Sequence, residues 1–125
     1  MIFTLNSIEK LKGKKLIEQL FEEGRSVSSF PLRLVYITTH FKDGAKVKTG
    51  VSVSKKSFKR AVDRNRIKRL MREAYRLNKT EYLNNISEPY AFMILYNGKE
   101  IPTYSEVEAK MAQLFLAFSK KISDK

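Results

Sequence analysis

Lys55-Lys56-Ser57-Phe58-Lys59-Arg60-Ala61-Val62-Asp63-Arg64-Asn65-Arg66-Ile67-Lys68-Arg69-Leu70-Met71-Arg72-Glu73-Ala74-Tyr75-Arg76 holds ten Lys and Arg side chains against two acids. That stretch supplies eight of the twelve net positive charges of a 125-residue chain. With Ser57 as N-cap and a helix running to about Leu77, steps of ~100° put Ile67, Leu70, Met71, Ala74 and Leu77 on one arc. Arg64, Lys68, Arg69, Arg72 and Arg76 fall on the opposite arc, with Asn65 among them. Like charges four residues apart repel by a few tenths of a kcal/mol per pair, so the row does not serve the helix itself. A polyanionic partner accounts for it.

A solvated helix face normally intersperses Glu with Lys, and this one barely does. Basic amphipathic helices that lie on anionic membranes or fill a calmodulin-type groove set bulky apolar residues such as Trp or Phe opposite the charge. The apolar arc here is narrow and reads as a core contact.

Upstream, Lys46 to Ser54 alternates as a strand does. Val47, Thr49, Val51 and Val53 point one way; Lys46, Lys48, Gly50, Ser52 and Ser54 point the other, leaving a small, polar, open sheet face. Asp43-Gly44 is a turn signal before it, and an extended run from about Phe30 to His40 precedes the turn. A first helix is expected from near Gly13 to Gly24, a residue suited to a left-handed C′ position, with Leu16, Ile17, Leu20 and Phe21 on its apolar face. Downstream, Pro89 to Tyr96 is almost continuously apolar, as in a strand covered on both faces near the middle of a sheet. Thr103 and Glu106 form a candidate capping box, and Val107, Met111, Leu114, Phe115 and Phe118 give the last helix its buried stripe. The order is helix, two or three strands, helix, strand, helix: an α+β chain, α-β-β-β-α-β-α with three strands, packed as a compact sandwich of helices on a small sheet.

The length suggests one domain, residues 1–125, long enough to bury roughly two-thirds of its unfolded surface. A hydrophobic content of 42% with five Gly and three Pro describes a globular chain. The absence of Cys excludes disulfides, the usual zinc fingers and thiol catalysis. No apolar run is long enough for a signal peptide or a membrane span, so a cytoplasmic protein is expected, and the Asn78-Lys79-Thr80 and Asn85-Ile86-Ser87 sequons are incidental.

The run Thr49-Gly50-Val51-Ser52-Val53-Ser54-Lys55-Lys56, then Arg60-Ala61, then Arg64-Asn65-Arg66-Ile67-Lys68-Arg69-Leu70 and Arg72-Glu73, closely resembles the signature of the bacterial ribonuclease P protein subunit. Leu20-Phe21 followed by Gly24-Arg25-Ser26 looks like that family's first-helix ending. The resemblance is sharp over Leu16 to Ser26 and Thr49 to Arg76 and weaker elsewhere. It implies a subunit of the endoribonuclease that removes the 5′ leader of precursor tRNA. In that enzyme a large RNA carries the catalytic centre, with Mg2+ expected at the RNA and no cofactor on the protein. It also implies a left-handed crossover around the basic helix, where the default would be right-handed.

By the same resemblance, Arg60, Arg64, Asn65, Arg66, Lys68, Arg69 and Arg72 face the catalytic RNA. Arginine forks onto phosphates or stacks on unpaired bases, and Asn65 suits a base edge or a 2′-hydroxyl. The leader would lie in a groove between the first helix and the open sheet face, lined by Ile17, Phe21, Tyr36, Ser52, Lys55 and Lys56. An aromatic platform beside cations holds a single strand with little sequence reading. Many relatives carry an aromatic at the position of Ile17, so contact there is van der Waals rather than stacking. Core packing is the competing reading for Phe21, a rim position for Tyr36, and edge-strand protection for Lys55 and Lys56.

Other function classes fare worse on the residues. A self-sufficient nuclease needs a general base and usually a carboxylate cluster for metal, whereas His40 is the sole histidine and the acids are scattered. No catalytic or metal-binding residue is therefore assigned. A helix-turn-helix DNA reader is not evident around Arg64, which argues against DNA as the partner. Composition alone would favour a non-catalytic RNA-binding or ribosome-assembly protein, and only the ribonuclease P signature argues against it.

Overall fold

The computed structural model describes residues 14–41, 44, 46–82, 86 and 88–123. The expected helix start at Gly13 and the Asp43 half of the turn lie outside them. Seven elements follow in order: α1 (Lys14–Glu23), β1 (Arg25–Ser29), β2 (Leu32–Thr38), β3 (Val47–Val53), α2 (Ala61–Tyr82), β4 (Tyr90–Tyr96) and α3 (Tyr104–Ser123). The four strands form one mixed sheet in the order β1-β2-β4-β3. β2 is antiparallel to β1 and β4, while β3 runs parallel to β4, with Val47 opposite Tyr90 and Val53 opposite Tyr96. The basic helix α2 is therefore the crossover between parallel neighbours.

The apolar β4 lies between β2 and β3 and is buried except at Leu95, as its composition requires. On one face α2 and α3 cover Leu32, Leu34, Tyr36, Val53, Phe92, Ile94 and Tyr96. α3 contributes the expected stripe of Val107, Met111, Leu114, Phe115 and Phe118. Its capping box is formed: the Thr103 amide donates to Glu106 Oε1 at 3.2 Å, and the Glu106 amide donates to Thr103 Oγ1 at 3.2 Å. On the other face α1 sets Leu20, Leu16 and Ile17 against Val35, Ala91 and Met93.

Local chemistry shifts several expected boundaries. The extended run starts at Leu32 rather than Phe30, because a turn at the cis Phe30–Pro31 bond separates β2 from β1. β1 is an edge strand reading Arg-Ser-Val-Ser-Ser, with only Val27 reaching the core, so periodicity carries no signal for it. The basic helix begins at Ala61, four residues after Ser57. The intervening chain turns instead: the Lys56 amide donates to Ser54 Oγ at 3.1 Å, and the Phe58 amide to the Ser54 carbonyl at 3.0 Å. That turn buries Phe58 against Tyr96, ring centroids 6.0 Å apart.

Gly24 does end α1, its amide donating to the Leu20 carbonyl at 2.9 Å, but not in the left-handed conformation. Glycine is required there by close approach: a Cβ would run into the Leu20 carbonyl and meet Val35 Cγ1 at 2.9 Å. Gly44 is the residue that uses left-handed freedom, at φ 78°, and its amide donates to the Phe41 carbonyl.

Candidate nucleic-acid interface

α2 is held on one side by Ile67, Met71, Ala74 and Tyr75, all buried, together with buried Asn78, whose amide nitrogen donates to the Ala74 carbonyl at 2.8 Å. Leu77, expected on this arc, is 46% exposed. Tyr75 takes its share of the core by packing edge-on against Phe115, 5.7 Å between centroids. The buried arc is thereby rotated relative to the one the aliphatic residues alone suggest. Asn65, Arg66, Arg69 and Arg72 consequently point into solvent, while Arg64, Lys68 and Arg76 lie half-buried at the margins.

Arg64 is already engaged within the chain. Its Nη1 donates to the Phe58 carbonyl at 2.8 Å and to the Lys59 carbonyl at 2.9 Å, tying the start of α2 to the turn that precedes it. Arg60 is exposed and makes a 3.8 Å ion pair with Asp63 one turn on, a contact of little energy at such a surface. Asp63 sits in the first turn of α2, where the helix dipole favours an acid. Glu73 is directed toward α3: it helps, behind burial and the Glu108 hydrogen bond, to push the Tyr104 phenol up to about 12. The outward face from Asn65 to Arg72 thus carries three arginines and no acid.

The second surface follows from strand register. Lys48, Gly50 and Ser52 are opposite Ala91, Met93 and Leu95, so they share the face on which α1 packs. Among the described residues α1 covers β2 and β4 but does not reach β3, so this side of β3 is a shelf that no described helix covers. Ser52 is half-buried on it, and Lys55 and Lys56 stand exposed in the turn at its end. Phe21 is 51% exposed on α1, one turn after half-buried Ile17, and belongs to neither core cluster. Lys48, which the alternation already placed on the open face without assigning it to the site, holds its ammonium 5.2 Å from the Phe41 ring centroid.

Tyr36 departs from expectation. It is 5% exposed and points to the opposite face of the sheet, its ring edge-on to Phe118 at 4.9 Å and to Tyr90 at 6.1 Å. Side chains alternate along a strand, and Val35 and Ile37 occupy the α1 side. It does not belong to the groove. Among the described residues no cluster of three His, Cys, Asp or Glu side chains is placed to hold a metal ion, and no helix is long and apolar enough to cross a membrane.

The profile of the family described as Ribonuclease P matches residues 5–119. The chain belongs to the ribonuclease P protein family. A Ribonuclease P protein component of Porphyromonas gingivalis is 37% identical over 126 aligned residues, covering 96% of this chain and 90% of that one. That of Borreliella burgdorferi is 33% identical, covering 91% of this chain and 92% of its own. Among solved structures, the RNase P protein of Staphylococcus aureus superposes with a TM-score of 0.71 at 20% identity, covering 88% of this chain and 94% of that one. The Thermotoga maritima protein gives 0.68 at 22%, covering 86% and 94%. At such identities the superpositions establish a shared fold. In this family member that fold sets two basic surfaces near each other, since the turn of residues 54–60 leads from the end of β3 into α2.

Proposed function

We infer that this chain is the RNA-binding subunit of ribonuclease P, acting with the catalytic RNA to remove the 5′ leader of precursor tRNA. The observation that carries this reading is the acid-free face of Asn65, Arg66, Arg69 and Arg72, on a helix whose other side is locked into the core. Charges fixed in this way meet phosphates without first having to be ordered. Arg60, Lys68 and Arg64 flank that face, with Arg64 acting mainly by holding the preceding turn. The shelf suits a single strand: Phe21 offers a ring to an unpaired base, Ser52 a hydroxyl, and Lys55 and Lys56 meet the backbone at its end.

Bond cleavage is assigned to the RNA partner. Mg2+, held by that RNA, would supply the charge stabilisation of the hydrolytic step. The protein's cations offset phosphate repulsion that Mg2+ otherwise screens, so its help is greatest when Mg2+ is scarce. Reconstitution with the cognate RNA and precursor tRNA tests this. The protein alone should leave precursor tRNA intact, and the stimulation it gives the RNA should grow as Mg2+ is lowered. Cleavage by the purified protein without RNA, or an absence of stimulation at any Mg2+ concentration, would overturn the assignment.

A further inference from the structure

At the end of the sheet remote from the start of α2, a recess of about 180 Å3 opens between α1, β1, β2, β4 and α3. Its walls are Glu23, Arg25, Tyr36, Ile37, Thr38, Tyr90, Lys121 and Ile122. Thr38 pairs with Tyr90 and Tyr90 with Val47, whereas α2 departs from the Val53 end. Seven-residue strands therefore separate the recess from the first turn of α2 by about 20 Å.

Two features mark it as built. The side chains of Tyr36 and Tyr90 are 5% and 3% exposed, their rings locked edge-on to each other and to Phe118. Both residues line the recess, and among the described residues no hydrogen bond ties up either hydroxyl, which leaves these donors open to whatever enters it. A phenol keeps its proton at neutral pH in any case, and burial pushes both of these further up, against the opposing pull of Arg25 on Tyr36 and with Glu88 adding to the rise at Tyr90. Around these donors the recess gathers the Thr38 hydroxyl, the Arg25 guanidinium and the Lys121 ammonium.

We propose that this recess binds a phosphate group, supplied in the assembled particle by the RNA backbone at a point separate from both the α2 face and the β3 shelf. Two fixed hydroxyl donors, a forked cation and a point cation are the complement of an acceptor-only, tetrahedral anion. Glu23 stands on the same rim and weakens the attraction. That the phosphate comes from RNA rests on the functional reading above; that the recess takes phosphate does not.

Titration of the full chain with inorganic phosphate, followed by NMR, separates the two statements. Resonances of Arg25, Thr38 and Lys121 should shift saturably. The double variant Tyr36→Phe/Tyr90→Phe, which keeps both rings, should bind roughly ten-fold more weakly, equivalent to about 1.4 kcal/mol. Glu23→Gln should bind more tightly. No saturable shift, a titration indifferent to the two hydroxyls, or weaker binding by Glu23→Gln, as a cation site would give, overturns the phosphate site. In RNA binding, Arg25→Ala/Lys121→Ala should flatten the log–log salt slope by roughly 0.7 to 0.9. An unchanged slope removes RNA as the source of the phosphate. Failure of the wild-type chain to bind RNA at all would count against the functional reading and leave the phosphate titration to judge the recess.

Discussion

Arg64 and Arg66 are one peptide unit apart from being neighbours, yet they should fail in different ways when truncated. Arg64 donates two charge-assisted hydrogen bonds, at 2.8 and 2.9 Å, to the carbonyls of Phe58 and Lys59. Arg66 points into solvent. A hydrogen bond from a charged donor contributes up to about 1.5–3 kcal/mol when fully desolvated, and roughly 1 or less when water can compete, as it can at half-buried Arg64. Arg64→Ala should therefore lower folding stability by about 1–2 kcal/mol and Tm by roughly 4–8 °C for a chain of this size. Arg66→Ala should change stability by no more than about 0.5 kcal/mol.

RNA binding should show the reverse ordering. Arg66→Ala removes a free cation, so the salt slope should flatten by roughly 0.7 to 0.9 with the fold unchanged. Arg64→Ala should weaken binding mainly by loosening the turn that carries Lys55, Lys56 and Lys59, with a smaller change in slope. Thermal and urea denaturation of the two variants, combined with RNA binding across a salt series, gives all four numbers. A stable Arg64→Ala protein with a flattened slope, or an Arg66→Ala protein that melts early and keeps its slope, would refute the division of roles.

Phe21→Ala should leave Tm nearly unchanged, because the ring is half exposed, and should cost about 1–3 kcal/mol of binding to precursor tRNA while sparing mature tRNA. A native melting profile with undiminished preference for leader-bearing substrate would remove Phe21 from the groove. Tyr104, pushed up to about 12 by burial and by its hydrogen bond to Glu108, keeps its proton in the folded state over a range where the unfolded chain releases it. Stability present below pH 10 should therefore fall between about pH 10 and 12, and Tyr104→Phe should shrink that decline in pH-dependent denaturation.

Where one period dominated, the residues alone were enough. β3 alternates cleanly, and its polar side is the open shelf; β4 is apolar throughout, and it is an interior strand; the Thr103–Glu106 box caps α3. β2 was ambiguous for a physical reason. Leu-Arg-Leu-Val-Tyr-Ile-Thr is apolar on both sides, since α1 covers one and α3 the other, so nothing in it says which way Tyr36 faces. β1 was invisible because an edge strand obtains its order from backbone pairing with β2 and needs little apolar surface of its own.

The basic helix shows how two side chains redirect a site. Its charged arc was located opposite the aliphatic residues Ile67, Leu70, Met71, Ala74 and Leu77. Tyr75 and Asn78 are buried in place of Leu77, and exchanging them turns the core-facing direction by about 35° on the helical wheel. That turn moves Arg64 from the charged face to its margin, within reach of the Phe58 and Lys59 carbonyls, and brings Arg66 outward beside Arg69. A polar-tipped aromatic is counted as neither core nor surface by a hydrophobic wheel, although its ring buries as much area as a leucine or more. The Arg-Asn-Arg triplet therefore divides: the first arginine braces the turn, and the asparagine and second arginine are left facing solvent. The spacing that achieves this, two positions or about 200° of helix, is the smallest that sends two like side chains to opposite flanks.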